Sequence, residues 1–353
     1  MSDNGKMIAE AAERILIDLA DPQTVTAARD DRWKEILWPV LAENGLSLAW
    51  VPEELGGVGV ALPEVFDIIA AAGRFALAVP LTETLLAGWL LAEAGIQSPQ
   101  ARMSVAPAQA GTQLTINAVG LVSGRAASVP FAGEVDYLAI VANGAEGAVI
   151  ALVSTSDCTI EPGVNLAGDA QGDVIFKAAK PVAVAPAPAG AEMHLLLMGC
   201  AVRSHQISGA LRSLLERSVT YAGERIAFGK PIGKFQAVQQ NLARLAGEVA
   251  AAAAASASAV DALANMESWD TGLILEITAA KIRCAEAAET GCSIAHQIHG
   301  AIGITREHVL HRFTLRALAW RDDFGNESYW AVHLGKLIAE RGADELWPLL
   351  ASR

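Results

Sequence analysis

Cysteine is scarce in this sequence, and its residues do not form a recognisable framework. The four are Cys158, Cys200, Cys284 and Cys292, and no two of them make a CxxC pair. A small disulfide-stapled fold needs a denser set of cysteines than this. The spacing therefore favours reduced thiols, and with them a cytoplasmic protein.

The sequence also lacks a signal for export or for membrane insertion. Its first residues, MSDNGKMIAEAAERIL, carry acidic side chains early and contain no apolar core. The alanine-rich stretch 250–260 is too short to span a bilayer, and the uncharged stretch 104–124 is interrupted by Pro, Gly, Gln and Asn. We expect no membrane span.

Familiar phosphate-binding and nucleophile signatures are missing as well. The pattern GxxxxGK[ST] does not occur, and GGVGVALPE at 56–64 lacks the third glycine of a dinucleotide fingerprint. GLVSGR at 120–125 is not the GxSxG of a nucleophile elbow. These absences argue against a P-loop NTPase, a Rossmann domain and an α/β-hydrolase.

Histidines are concentrated in HQIHGAIGITREHVLH at 296–311, but they do not follow a metalloprotease pattern. A pair at i and i+3 can share a helix face and ligate zinc. The HExxH order is absent, however, and glycines separate the pairs. We predict no metal site, because histidines near a helix end commonly serve its hydrogen bonds and dipole.

Basic residues are outnumbered, and this limits the range of partners. The chain has 353 residues and a formal net charge of −13, with 52% hydrophobic and 18% charged residues. Such a composition is typical of a globular chain with two or three packed units. A strongly acidic protein repels phosphate backbones, so nucleic acid is excluded as a general partner.

Hydrophobic periodicity divides the chain into three parts. Residues 1–102 show helical spacing, with a loop at VPEELGGVGVALPE. Residues 103–188 contain short β-rich runs such as DYLAIVAN and GAVIALVS, and end in the predicted linker PVAVAPAPAGAE. Residues 189–353 return to long helices with one apolar face each. The prediction is an α+β, mostly α fold: an N-terminal helical domain, a central β-barrel-like domain and a C-terminal four-helix bundle.

A helix-breaking cluster, ERIAFGKPIGKFQAVQQ, interrupts the helical sequence at 224–240. Arg225 offers a planar fork for phosphate oxygens, Phe228 a flat apolar face, and Gln236 both a donor and an acceptor. A second glycine-rich stretch, QIHGAIG at 297–303, combines an amide with bare backbone. Two such loops are able to hold a dinucleotide, but a surface Arg, a core Phe and helix-ending glycines explain the same residues.

Three stretches together resemble the acyl-CoA dehydrogenase family. ERIAFGKPIGKFQAVQQNLARLAGE is similar to its flavin-loop signature, QIHGAIGITREHVLHRFTLRA to its second signature, and LSLAWVPEELGGVGVALPEV to its N-terminal segment. The resemblance covers nearly the whole chain, in the same order. It implies FAD, a dimer or tetramer, α,β-dehydrogenation of an acyl-CoA thioester, and an electron-transferring flavoprotein as acceptor.

The resemblance also assigns roles to individual residues. In the family, the loop Arg and Phe reach the FAD pyrophosphate of a neighbouring subunit, and the second motif lines the ADP half. The implied cofactor-binding residues are Arg225, Phe228, Gln236, Gln297, Gly300 and Gly303.

The sequence departs from the family where the chemistry takes place. The carboxylate base of many members falls on Phe324, in RDDFGN, and the alternative base position falls near Gly199, in LLMGCAV. MSVAPAQAG at 103–111 lacks the acid and serine of the segment that helps seat the flavin ring. Asp322, Asp323 or Glu327 are possible substitutes, although each fits a solvated helix end, so the catalytic residue stays unknown.

In its missing base, the sequence resembles one of the two unlike chains of bacterial heterotetramers in the family. Some of these heterotetramers act on steroid side-chain thioesters. We therefore expect a subunit that completes the FAD site of a partner chain, which carries the base. Two alternatives remain open: a self-sufficient homo-oligomeric dehydrogenase with a relocated carboxylate, and a flavin-free helical interaction protein. The acyl group of the substrate is not determined by the sequence.

Overall fold

The structure, a computed structural model, describes residues 3–28, 30–109 and 111–351. The outermost limits of the predicted domains, residues 1 and 353, lie outside these ranges. None of the described helices combines the length and the apolarity that crossing a bilayer requires.

Helices form the first layer of the fold. They are α1 (Asp3–Ala20), α2 (Pro22–Ala27), α3 (Arg32–Glu43), α4 (Leu62–Arg74) and α5 (Leu81–Ala92). In α2, the Asp21 side chain caps the N-terminus by accepting from the backbone N–H of Thr24. Helix α5, LTETLLAGWLLA, is apolar except in its first turn, and Leu81 through Leu91 are buried. It therefore lies inside the molecule, against the next layer.

Strands form the central unit. They are β1 (Met103–Ala106), β2 (Leu114–Ile116), β3 (Val122–Pro130), β4 (Tyr137–Gly144), β5 (Gly147–Ser154), β6 (Thr159–Val164), β7 (Ala170–Ala179) and β8 (Ala183–Pro186). Their order is β6-β7-β3-β2-β4-β5-β8, with β1 parallel to β4. Antiparallel β4 and β5 pair in continuous register from Tyr137 with Ser154 to Gly144 with Gly147. Within the described residues this sheet has edges at β6 and β8, so its hydrogen bonds do not close a barrel.

The C-terminal part is a helical bundle. It contains α6 (Ala191–Glu224), a hairpin of β9 (Ile226–Ala227) and β10 (Lys230–Pro231), α7 (Gln236–Ala264), α8 (Thr271–His299), α9 (Leu310–Asp322), α10 (Glu327–Arg341) and α11 (Leu346–Ala351). Helix α6 packs against α4, α7, α8 and α9, and so forms the axis of the molecule. At its crossing with α4, a Cβ on Gly209 would come 2.2 Å from the backbone oxygen of Ala70. Only glycine permits so close an approach of the two helices.

The predicted architecture of helices, a β unit and a helical bundle is confirmed. The apolar stripe on α8 is buried as its spacing predicts, from Leu273 through Ile277 and Cys284. One detail is wrong: part of the stretch predicted as a linker, Ala183–Pro186, is strand β8 and pairs with β5. Alternating Val and Ala suit an edge strand, and its one proline, Pro186, is tolerated there. The domain limits stay predictions.

Candidate functional site

The helix-breaking cluster forms a short hairpin that projects from the bundle. Helix α6 ends at Glu224, and Lys230 of β10 pairs with Ala227 of β9. The two residues of the turn, Phe228 and Gly229, have positive φ angles of 52° and 79°. This geometry is that of a type I′ turn, which costs a non-glycine residue some strain. The turn aims the Phe228 ring into solvent, where 95% of the residue is exposed.

Contacts at the base of the hairpin hold it in place. The backbone N–H of Ile232 donates to the carbonyl of Arg225 at 2.8 Å. The Lys230 ammonium lies 4.4 Å from the centroid of the Phe235 ring, a cation–π contact. Gln236 begins α7 immediately afterwards and is exposed. The Arg225 side chain is also exposed and forms no hydrogen bond or ion pair with the described residues.

The second glycine-rich stretch lies at the end of α8. Gln297 is exposed in the last turn, and Gly300 follows the helix with φ of 63° and open space around its Cα. Gly303 differs, because it is buried and a Cβ there would lie 2.9 Å from Leu310. Two of the three predicted residues therefore face solvent, and the third permits local packing.

An aromatic contact ties the two loops to the same end of the bundle. The Tyr221 hydroxyl, on the last turns of α6, donates to the carbonyl of His299 at 3.2 Å. The two rings stack with centroids 4.5 Å apart. The hairpin and the turn after α8 are thereby held side by side. Whether the six predicted residues bind a cofactor stays a prediction.

The histidines near this end are engaged in local hydrogen bonds. His299 and His311 each contact a backbone carbonyl through Nδ1, and His296 contacts the Thr314 hydroxyl through Nε2 at 3.1 Å. Burial lowers the pKa of His296 and of His299, which favours neutral rings. Within the described part of the chain, no three ligating side chains gather in a way that suits a metal ion.

The two positions that the resemblance assigns to a catalytic base lie against each other. Gly199 is buried in the N-terminal third of α6, and Phe324 follows the end of α9. A Cβ on Gly199 would come 2.3 Å from Cγ of the Phe324 ring. Phe324 is 1% exposed, and its carbonyl accepts from the Trp330 indole at 2.9 Å. The ring therefore occupies the space into which either carboxylate would project.

A buried ionic network surrounds this contact. Arg203 donates to Glu83 at 2.6 Å and to Asp323 at 2.9 Å, and all three residues are at most 4% exposed. Lys281, fully buried, donates to the backbone oxygens of Trp320, Arg321 and Asp323 at 3.0, 2.8 and 2.8 Å. It thus satisfies carbonyls at the C-terminal end of α9. Burial raises the pKa of Asp323, although Arg203 opposes the shift.

The structure corrects the interpretation of one of the proposed substitute bases. Asp322 is exposed, as a solvated helix end should be, but Asp323 is buried and bonded to Arg203. Glu327 is partly buried, with its carboxylate 3.7 Å from the Arg321 guanidinium. Glu83, Arg203 and Lys281 were not predicted from the sequence. Each is a charged residue on an otherwise apolar helix face, and that pattern could have indicated a buried ionic network.

The central sheet and the bundle meet directly at the same place. The backbone N–H of Phe324 donates to the carbonyl of Ala108 at 2.9 Å. Ala108 belongs to MSVAPAQAG, the stretch at the position where family members have the segment that helps seat the flavin ring. The Gln171 amide lies 3.4 Å from the Asp323 carboxylate. A void beside Glu83 is too small for a water molecule. No room for a ligand is left at these contacts.

Comparisons with known proteins agree with the fold. The family model described as "Acyl-CoA dehydrogenase, C-terminal domain" matches residues 192–327. The chain is 29% identical to acyl-CoA dehydrogenase IpdE2 of Mycobacterium tuberculosis over 88% of this chain and 90% of that one. It superimposes on the ChsE4-ChsE5 complex from Mycobacterium tuberculosis with a TM-score of 0.86 and 22% identity, covering 97% and 99% of the two chains.

A variant of the Tcur3481-Tcur3483 steroid ACAD gives a TM-score of 0.84 at 26% identity, covering 96% of this chain and 98% of that one. The similarity to these proteins extends over the helical layer, the sheet and the bundle. The chain is therefore similar to acyl-CoA dehydrogenases over most of its length, and residues 192–327 match the model of their C-terminal domain.

Proposed function

We propose that this chain is the base-free subunit of a heteromeric acyl-CoA dehydrogenase, in which it completes the FAD site of a partner chain. One observation carries the proposal. Phe324 and the buried ions around it fill the place of the base, whereas the hairpin with Arg225 and Phe228 projects outward. Since the chain's own cleft is filled and its hairpin is exposed, the hairpin is suited to contact FAD bound in a neighbouring chain.

The residues at the sheet–bundle contact do not fit a flavin ring and an acyl group in this chain. Ala108 and Phe324 are joined by a backbone hydrogen bond, and a buried ion pair joins Asp169 of the central unit to Arg316 of α9. Opening this contact would separate buried charges, which costs several kcal/mol per ion. The proposed reaction therefore does not take place in this cleft.

The outward residues do fit the phosphate half of FAD. Arg225 is exposed and free to donate to the pyrophosphate, and the open backbone at Gly300 lets a phosphate approach closely. Gln236 and Gln297 supply amides, and Phe228 offers a ring face to a neighbouring chain. When bound, FAD accepts a hydride from the β carbon of an acyl-CoA thioester. This chain orients the cofactor, and the partner's base removes the α proton.

The nature of the partner follows from the relatives. Two of the similar structures are named as pairs of chains, and one is named a steroid ACAD. We propose a second acyl-CoA dehydrogenase-like chain as partner, an acyl-CoA as substrate, and an electron-transferring flavoprotein as acceptor. The thiols of Cys200, Cys284 and Cys292 are buried and free, and burial raises the pKa of each to about 12. Unreactive thiols suit the proposed cytoplasmic location.

The proposal predicts the cofactor content of the purified assembly. With one of two chains lacking a cleft, we expect one FAD for every two chains in the complex from the native host. The measurement is flavin absorbance after denaturation, divided by the amounts of the two polypeptides from quantitative amino-acid analysis. One FAD per chain, or a colourless complex that ignores added FAD, would refute the proposal.

The hairpin itself provides a second prediction. In Arg225→Ala, loss of a charge-assisted contact to phosphate should weaken FAD binding by about 10- to 100-fold. Titration of the apo-complex with FAD, followed by flavin fluorescence, measures the change. Arg212→Ala is the matched control, because Arg212 is an exposed arginine of the same helix bundle that pairs with Glu216. Unchanged affinity in Arg225→Ala would remove this residue from the site.

A further inference from the structure

A cavity of about 560 Å³ lies between the N-terminal helices and the start of α9. Its walls include Asp30 and Asp31 from the α2–α3 connection, Trp33 of α3, and Arg306, His311 and Arg312 near the beginning of α9. The cavity is open to solvent and separate from the hairpin that carries Arg225.

Arg312 is the unusual member of this cavity. Its side chain is half-buried, its Nε is shielded from solvent, and it forms no hydrogen bond or ion pair with the described residues. Burial lowers the pKa of Arg312 to about 10, and the neighbouring Arg316 adds to the shift. A desolvated guanidinium without a bonded partner is destabilising until an anion compensates it.

The acids beside the cavity are already paired with other cations. Asp30 lies 2.8 Å from the Arg32 guanidinium, and Asp31 lies 3.0 Å from the Lys34 ammonium. Asp169, an acid of the adjoining sheet unit whose charge acts on Arg312, is held in its buried pair with Arg316.

The cations that face the cavity remain without such a partner. Arg306 is exposed at the rim and has no bonded counterion among the described residues. The His311 ring contacts the carbonyl of His308 through Nδ1 at 2.7 Å, which leaves Nε2 for a ligand. Asp31 and Asp169 favour the charge of Arg312 at longer range, but among the described residues neither guanidinium has a bonded counterion. The cavity therefore presents two such guanidinium groups and an imidazole.

We propose that this cavity binds the phosphate group of a small molecule. Two guanidinium charges balance a phosphate dianion, and their donor geometry suits its oxygens. The volume exceeds what one phosphate needs, so an organic group can lie beside the indole of Trp33. This site lies apart from the FAD-binding hairpin, and it stands whether or not the chain completes a flavin site.

Calorimetric titration of the full chain, purified with any partner that accompanies it and saturated with FAD so that the proposed flavin site is filled, tests the proposal. Inorganic phosphate and ADP are the two probes, and acetate at equal ionic strength is the control for charge alone. We expect phosphate or ADP to bind and acetate not to bind. Tighter binding of ADP would indicate a nucleotide, and equal binding would indicate the phosphate group alone.

Variants locate the binding in this cavity. Arg312→Gln should weaken phosphate binding by about 10- to 100-fold. It should also raise the melting temperature of the ligand-free protein, because it removes a buried charge without a bonded partner. Arg306→Glu, at the exposed rim, should weaken binding by about tenfold or more without affecting the fold. Arg212→Gln should bind phosphate as the unaltered chain does.

Two outcomes would overturn the proposal. One is the absence of phosphate and ADP binding in the unaltered chain. The other is binding that Arg306→Glu leaves unchanged, and this variant decides the matter even if Arg312→Gln does not fold. Because Arg306→Glu should weaken phosphate binding here and leave FAD binding unchanged, failure of one proposal is distinguishable from failure of the other.

Discussion

Purified alone and supplied with FAD, the chain is expected to reduce dye with acyl-CoA about 10²–10⁴-fold more slowly than with its partner, the usual contribution of a general base. The phenyl ring of Phe324 accepts no proton, and Gly199 has no side chain. Asp323, the nearest buried carboxylate, is held by Arg203 at 2.9 Å and faces a filled space. The measurement is acyl-CoA-dependent dye reduction by the single chain and by the reconstituted complex.

A matched pair of variants gives this prediction its control. Asp322 is exposed and Asp323 is buried, so they differ in environment although they are adjacent in sequence. Robust turnover by the single chain would contradict the proposed function. If Asp323→Asn then abolished that turnover while Asp322→Asn did not, Asp323 would be the relocated base and the chain a self-sufficient dehydrogenase.

Substitution of Arg203 is expected to cause the largest loss of stability. Arg203→Met removes the cation shared by Glu83 and Asp323, which are 3% and 4% exposed. Breaking a buried ion pair from one side costs about 3–5 kcal/mol, because the remaining charge stays desolvated. Chemical denaturation monitored by circular dichroism measures the difference. Arg212→Met is the control, since its exposed site should change the free energy of unfolding by about 0.5 kcal/mol or less.

A charge-balanced variant separates lost charge from lost packing. The double variant Arg203→Met and Glu83→Gln removes one charge of each sign and leaves the buried Lys281 to balance Asp323, so it should recover part of the stability that Arg203→Met alone loses. A single Arg203→Met variant as stable as the unaltered chain would show that the two carboxylates do not depend on this arginine.

The parts of the fold that the sequence predicted were those encoded locally. The helical stripe through Leu273 and Ile277, the helix break at 224–240 and the glycine-rich loop at 297–303 depend on spacing and on helix-breaking residues within a few positions. Each was found where the pattern indicated. The role of Arg225 in binding a cofactor was implied by the resemblance, and it stays a prediction.

Such local patterns could not predict that the cleft is filled. Glu83 and Asp323 are each 120 residues from Arg203 in the chain, and no periodicity reports a contact at that separation. The sequence showed only that Phe324 and Gly199 are not carboxylates. The contact of the Phe324 ring with the backbone of Gly199 depends on tertiary packing, which brings α6 and the end of α9 together.

The packing of Phe324 on Gly199 also constrains how this chain can change over evolutionary time. A Glu at Gly199 would place its Cβ 2.3 Å from the ring, and overpacking of this kind is destabilising. A Glu at Phe324 would bury a further acid where two cations already balance two carboxylates. Each single step toward a restored base is therefore disfavoured on its own. Under the proposed function, a lineage with this packing therefore stays dependent on the gene that encodes the partner chain.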